Sequence, residues 1–245
     1  EAAAANGVAR FILASTVKVY GESNAAIAPH SPRRPIEESV PCRPATPYGQ
    51  AKLEAESLVL KGGYVPEPVV LRLSMVYGER AKGNLTKMIE AVAAGRFPSL
   101  PEAGNRRSMV HVEDVVQAAL LAASCNEAIG EVFNVTDGRS YSSRELLLAI
   151  RRSLGKRPPS VDVPMGLLRL LGRIGDGIGA LTRRRFVFDS DALDKLLTSA
   201  HFSSAKISKM LGYQPHWDLE RALPSMIQAL DLKARSASPG QKGSG

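Results

Sequence analysis

Arg10-Phe11-Ile12-Leu13-Ala14-Ser15-Thr16-Val17-Lys18-Val19-Tyr20-Gly21 is the stretch that decides the fold. A short apolar run, Phe11 to Ala14, ends in two hydroxyls. Such a run suits a strand buried on both faces, as in a parallel sheet. A hydroxyl at the carboxyl end of such a strand lies where open α/β sheets bind ligands. Upstream, Ala2 to Asn6 reads as the end of a helix stopped at Gly7. Downstream, residues 21–47 form a loop with six prolines. A loop of that length without structure of its own is usually functional.

A helix is predicted from Pro47, with Thr46 as its cap and Pro47 at the first position. Ala51, Ala55, Leu58 and Val59 mark an apolar stripe on it at helical spacing. Val69 to Leu73 reads as a second buried strand. Helix is expected over 85–94, strand over 109–112, helix over 115–123 capped by Asp114, and strand over 131–135. The helix over 142–154 opens with a capping box of Ser142 and Glu145. Helices over 165–181, 205–211 and 218–230 follow, the last opening at Asp218. Residues 232–245, rich in Ser, Gly and Lys, read as a disordered tail. Strands alternate with helices early and helices crowd late. That order predicts an α/β fold with a smaller helical region.

The 245 residues are 44% apolar and 23% charged, ordinary globular usage that excludes a disordered chain. Two cysteines, Cys42 and Cys125, exclude a disulfide framework and a paired-cysteine zinc site. No apolar run is long enough for a membrane span, and no signal peptide is visible, so a cytoplasmic setting is expected. The net charge of +8 comes from short Arg groups without interleaved aromatics, which disfavours nucleic acid as a partner. Between Met165 and Arg185, leucines alternate with arginines. Two readings stand there: a peripheral contact with an anionic bilayer, or a core-packed helix with a basic edge, the second favoured. His30, His201 and His216 lack partners at ligand spacing, so no metal is expected.

Tyr48 and Lys52 stand one helical turn apart and share a face. A phenol ordinarily titrates near pH 10, and an adjacent ammonium favours the phenolate. The pair is thus a candidate proton acceptor near neutral pH. By itself Tyr-x-x-x-Lys also describes many surface neighbours. Here it is accompanied by Ser15-Thr16-Val17-Lys18-Val19-Tyr20-Gly21, Leu71-Arg72-Leu73-Ser74-Met75-Val76-Tyr77-Gly78, Arg107-Ser108-Met109-Val110-His111-Val112-Glu113-Asp114-Val115 and Val132-Phe133-Asn134-Val135-Thr136-Asp137-Gly138.

In that order these segments resemble the extended short-chain dehydrogenase/reductases, within them the NAD-dependent nucleotide-sugar epimerase/dehydratase family. The resemblance implies an α/β chain holding the C-terminal part of a Rossmann-type parallel sheet and a smaller, mostly helical substrate region. Residues 1–78 would form a partial dinucleotide-binding domain to which 108–138 returns; 79–107 and 139–231 would bind substrate. It implies Tyr48 as base, Lys52 on the nicotinamide ribose, and Thr16 on the reacting oxygen. Ser15 would be a cofactor-side neighbour. Lys18, Asn84, Leu85 and Arg107 would meet the substrate, with Asn84, Leu85 and Arg107 at its diphosphate. NAD or NADP would be the cofactor, a nucleotide-diphosphate sugar the partner, and a homodimer the assembly. Other readings remain: a turn cap for Thr16, a solvated charge for Arg107, a packed residue for His111, an inert thiol for Cys42.

The chain also departs from the family pattern. No Gly-x-x-Gly-x-x-Gly follows a strand, so a missing N-terminal phosphate-binding half is expected. Val17-Lys18 stands where the family's dehydratases carry an Asp-Glu pair, and Met75 where many epimerases carry Asn. The expected activity is therefore C4 epimerisation or 4-keto reduction; the alternative is a non-catalytic sugar-nucleotide-binding remnant.

Overall fold

The computed structural model describes residues 2–23, 34–159, 161–170 and 190–236. A short helix α1 (Ala2–Ala5) precedes strand β1 (Arg10–Thr16), which ends in a 3-10 turn (Val17–Val19). Then come α2 (Pro47–Lys61), β2 (Glu67–Leu73), β3 (Met75–Tyr77) and α3 (Asn84–Ala93). They are followed by β4 (Arg107–His111), α4 (Val112–Ser124), β5 (Val132–Val135), β6 (Ser140–Tyr141) and α5 (Ser143–Ser153). Helices α6 (Ser190–Leu197), α7 (Ala205–Leu211) and α8 (Leu219–Ser236) complete the described chain.

The first sheet has the order β1-β2-β5, all parallel. Register sets Ser15 beside Arg72 and Arg72 beside Asn134, so these three share one face. The other face carries Leu71, Phe133 and Val135, covered by Ala118 and Ala122 of α4 and by Ile207 and Leu211 of α7. Parallel strands need such long crossovers, and here helices supply them.

Strand β1 departs from the expectation of burial on both faces. Phe11 is 37% exposed and only Ser15 and Thr16 are buried, because β1 pairs on one side alone among the described residues. The apolar stripe expected for α2 also fails as a core face. Leu58 is 58% exposed and Ala51 is exposed, while the residues α2 buries are Gly49 and Glu56. The most deeply buried side chain of this helix is thus a carboxylate, with Leu53 packing partly buried against Val17, Val19 and Tyr20.

The second sheet joins β3 to β4 in parallel and β4 to the two-residue β6 in antiparallel. Leu85, Met88, Ile89 and Val92 of α3 pack with Leu146, Leu147 and Ile150 of α5 and Leu223 and Met226 of α8. The Ser142–Glu145 capping box forms as the sequence predicts. Two local readings are corrected. Helix α4 starts at Val112, and its cap is His111, whose Nδ1 accepts from the Glu113 N–H. Asp114 instead turns inward and accepts the backbone N–H groups of His216 and Trp217, pinning the loop before α8. Residues 232–236, expected in a disordered tail, continue α8.

The apolar stretch after Met165 is helical over 165–170. Arg173, Arg183, Arg184 and Arg185 lie outside the described residues, as do His30 and residues 237–245. No helix of the described residues is long and apolar enough to cross a membrane.

Asp137 ties the second sheet to the loop after β5. Its Oδ2 accepts the hydroxyls of Tyr77 (3.2 Å) and Tyr141 (3.0 Å), and its N–H donates to the Met109 carbonyl. Burial pushes this carboxyl from 3.8 up to about 6. A raised folded value means its stabilising contribution is full below the unfolded value and is lost as pH rises through about 6. We expect the stability of wild type relative to Asp137→Asn to fall by about 2–3 kcal/mol between pH 4 and 7 in urea unfolding, at about 1.4 kcal/mol per pH unit. A flat difference across that range would contradict this account.

Candidate active site

Thr16 ends β1 and caps the 3-10 turn, its Oγ1 accepting the Lys18 N–H at 3.3 Å. The turn brings Tyr20 back beneath the sheet. There the Tyr20 hydroxyl donates to Asn134 Oδ1 at 2.9 Å, and the ring lies under the Arg72 guanidinium, 4.7 Å away. Burial pushes the Tyr20 phenol up to about 12, so it stays protonated and structural.

Tyr48 has the opposite setting. It is 58% exposed at the second position of α2. Thr46 caps this helix by accepting the Gly49 N–H, and Pro47 occupies its first position, as predicted. One turn along, Lys52 Nζ donates to the Ala14 carbonyl at 2.9 Å. The ammonium thus meets the carboxyl end of β1, two residues before Thr16, and the Tyr48 side chain shares its face of α2.

Gly49 makes that approach possible. A Cβ at this position would sit 2.8 Å from the Lys18 carbonyl oxygen and 3.0 Å from Pro44 Cβ. Both obstacles are fixed, one being the backbone of the 3-10 turn. Only a residue without a side chain lets the first turn of α2 lie against the turn after Thr16.

Beneath Lys52 lies a buried ion pair. Glu56 is 2% exposed and Arg72 6%. Arg72 Nη2 reaches Glu56 Oε2 at 2.7 Å, and Arg72 Nε reaches Oε1 at 3.1 Å. The Ser15 hydroxyl donates to the same Oε1. The predicted cofactor-side Ser15 thus spends its side chain on Glu56, leaving only its backbone toward the site. Burial pushes the Cys42 thiol up, with Arg72 opposing, which suits an inert thiol.

Of the predicted substrate residues, Lys18 lies on the turn after β1, and Asn84, Leu85 and Arg107 lie on α3 and β4. Lys18 Nζ pairs with Glu22 on the turn. Asn84 is exposed at the start of α3, whereas the Leu85 side chain is in the core, leaving its backbone N–H for any ligand. Gly83 caps α3 without a side-chain hydrogen bond, so the first N–H groups of the helix remain open to an anion. Arg107 opens β4 and donates to the Thr198 carbonyl at 3.2 Å; burial pulls its pKa down. His111 is packed, stacking on Trp217 with ring centroids 4.3 Å apart.

Three residues were not singled out from the sequence. Glu56 and Arg72 are the buried pair. The third is Ser74, between β2 and β3, one residue past Leu73, the register partner of Thr16. Its hydroxyl is buried and has no hydrogen-bond partner among the described residues. An orphaned hydroxyl one residue past the strand partner of Thr16 fits a polar ligand that brings its own donors and acceptors. It is consistent with the ribose end of a nicotinamide nucleotide.

Gly49→Ala is expected to force α2 off the turn, destabilising the chain by about 1–3 kcal/mol. Urea unfolding measures this directly. An unchanged midpoint would show that the close approach is not needed.

Residues 1–136 match the family model described as NAD dependent epimerase/dehydratase family. An Escherichia coli O157:H7 protein, N-acetyl-alpha-D-glucosaminyl-diphospho-ditrans,octacis-undecaprenol 4-epimerase, is 27% identical over 228 residues, covering 91% of this chain. The chain spans 66% of that relative's length. Among solved structures, UDP-glucose 4-epimerase from Thermotoga maritima with UDP-glucose aligns with a TM-score of 0.68 at 24% identity, over 95% of this chain and 66% of that one. Bordetella bronchiseptica WbmG in complex with NAD aligns with a TM-score of 0.65 at 21% identity, over 94% of this chain and 62% of that one. At these identities the structures establish a shared fold, and the α/β chain with its parallel sheet has it. The family match spans more than half the chain and includes β1, which carries Thr16, and α2, which carries Tyr48 and Lys52: the protein belongs to the NAD dependent epimerase/dehydratase family.

Proposed function

We propose that this chain carries the proton-transfer and sugar-binding part of an NAD(P)-dependent enzyme acting at C4 of a nucleotide-diphosphate sugar. The reaction is epimerisation or reduction of a 4-keto group. The observation that carries the reading is Lys52 held at the Ala14 carbonyl with Tyr48 one turn before it. Relatives support it: one is named as a 4-epimerase of a diphospho-linked sugar, and the aligned structures hold UDP-glucose in one case and NAD in another.

A nicotinamide bound here would supply or take the hydride. Tyr48 takes the proton from the sugar 4-hydroxyl as the carbonyl forms, and returns it in the reverse step. The Lys52 ammonium stabilises the negative charge that builds on the Tyr48 oxygen and holds the nicotinamide ribose. Thr16 donates to the reacting oxygen, and Ser74 offers the nearby orphaned hydroxyl. The open N–H groups of Asn84 and Leu85 at the start of α3, with Arg107, receive the diphosphate. Val17 is buried and Lys18 is basic, so the turn supplies no acid for removing water from the sugar. This favours epimerase or reductase over dehydratase.

The test is turnover of UDP-sugars and their 4-keto forms with NAD(H) and NADP(H) by the protein carrying this chain. Tyr48→Phe is expected to lower kcat by about 10²–10⁴-fold, the usual worth of a positioned acid–base group, with little change in KM. Turnover of Tyr48→Phe close to wild type would overturn the reading.

A further inference from the structure

Glu56 poses a problem for the site above it. Tyr48, Lys52 and Glu56 recur at one-turn spacing and share one face of α2. A carboxylate one turn from an ammonium on a helix is close enough to pair with it. Lys52 does not make that pair: its Nζ donates to the carbonyl of Ala14, the residue next to Ser15. Ser15 in turn donates to Glu56. The lysine head and the carboxylate therefore both stand at the same end of β1.

The hydrogen bonds of Glu56 explain why they stay apart. Both carboxylate oxygens are engaged: Oε2 by Arg72 Nη2 at 2.7 Å and Oε1 by Arg72 Nε at 3.1 Å and by Ser15 Oγ. The guanidinium is planar and presents its donors as a fixed fork, the geometry that satisfies a carboxylate bidentately. Arg72 is itself fixed, by its place in β2 between β1 and β5 and by the Tyr20 ring against its face. The pair is electrically neutral and only 2–6% exposed, so little water competes for it.

We infer that Arg72 is a positioning residue for the Tyr48–Lys52 pair: by occupying both oxygens of Glu56 it keeps that carboxylate from capturing Lys52. Without the Arg72 charge, the buried Glu56 carboxylate has one cation within a helical turn, which is Lys52. Capture draws Nζ down from the Ala14 carbonyl into the sheet. It also neutralises the charge that serves Tyr48. The inference rests on the proposed function for its catalytic consequence, but its structural part concerns Lys52 alone.

Two readouts separate these parts. The first is acylation of Lys52 by a small anhydride, followed residue by residue by mass spectrometry on the folded chain without cofactor. Arg72→Met is expected to slow Lys52 acylation by about tenfold relative to the other lysines, as expected for a buried paired ammonium. The double variant Glu56→Gln/Arg72→Met, which removes the captor as well, is expected to restore the wild-type rate. The second readout is the pH profile of kcat in the protein carrying this chain. Arg72→Met moves the rising limb to higher pH with KM little changed, and the double variant moves it back.

A merely structural role predicts the reverse order, with the double variant as impaired as the single one or more so. Equal Lys52 acylation and equal pH profiles in the single and double variants would overturn the inference. If acylation follows the expected order but Tyr48→Phe keeps wild-type turnover, the proposed function fails while the capture argument stands. If Arg72→Met does not fold, Arg72→Gln makes the same comparison, since it removes the charge but keeps one hydrogen bond to Glu56.

Discussion

The site depends on the ion pair between Arg72 and Glu56. Two charges taken out of water are costly, and their attraction offsets that cost only with good geometry and with remaining atoms satisfied. Here the fork of Arg72 meets both carboxylate oxygens, Ser15 completes one of them, and the Tyr20 ring covers the guanidinium. The pair joins the middle of α2 to the central strand of the first sheet. Replacing such a pair by hydrocarbon is often neutral, whereas removing one partner costs about 3–5 kcal/mol. Its value is therefore in orientation. It holds Glu56 away from Lys52, and so leaves the ammonium at the end of β1 beside the face that carries Tyr48.

Gly49 and the pair work at opposite ends of one contact. Gly49 lets the first turn of α2 lie on the Lys18 carbonyl, and Glu56 anchors the helix two turns later. Between them Lys52 bridges to Ala14. The second sheet begins at Met75, with Ser74 alone between it and the end of β2. The residues proposed for proton transfer, on β1 and α2, and those proposed for anion binding, at α3 and β4, are thus carried by elements that flank the β2–β3 junction. A ligand with a reacting ring and a diphosphate matches that layout.

Features governed by neighbouring residues were legible in the sequence. Thr46 and Pro47 start α2, and Ser142 and Glu145 start α5, because caps depend on chemistry within one turn. The ends of β2, α3 and α7 were close for the same reason. Features governed by distant partners were not. The apolar stripe of α2 suggested the wrong buried face, because nothing local says that Arg72 waits across the sheet for Glu56. Asp114 looked like a helix cap but serves the loop 102 positions later. Strand β6, two residues long, carries no periodicity to read. Tyr48, Lys52 and Thr16 were named through the motif, and the structure adds the contacts of Gly49 and Lys52 that set α2 against the end of β1 and the turn after it. Leu85 shows the limit of the motif, which names a residue without saying that its side chain lies in the core.

The most direct measurement is hydrogen–deuterium exchange of the α2 backbone in wild type and in Glu56→Gln. If the charge pair rather than apolar packing holds this helix, amides over 50–58 lose protection in the variant. Those of β5 and α5, which have their own cores, keep theirs. Unchanged protection across α2 would show that the helix is held by other contacts, and the account of how Tyr48 and Lys52 are positioned would be wrong.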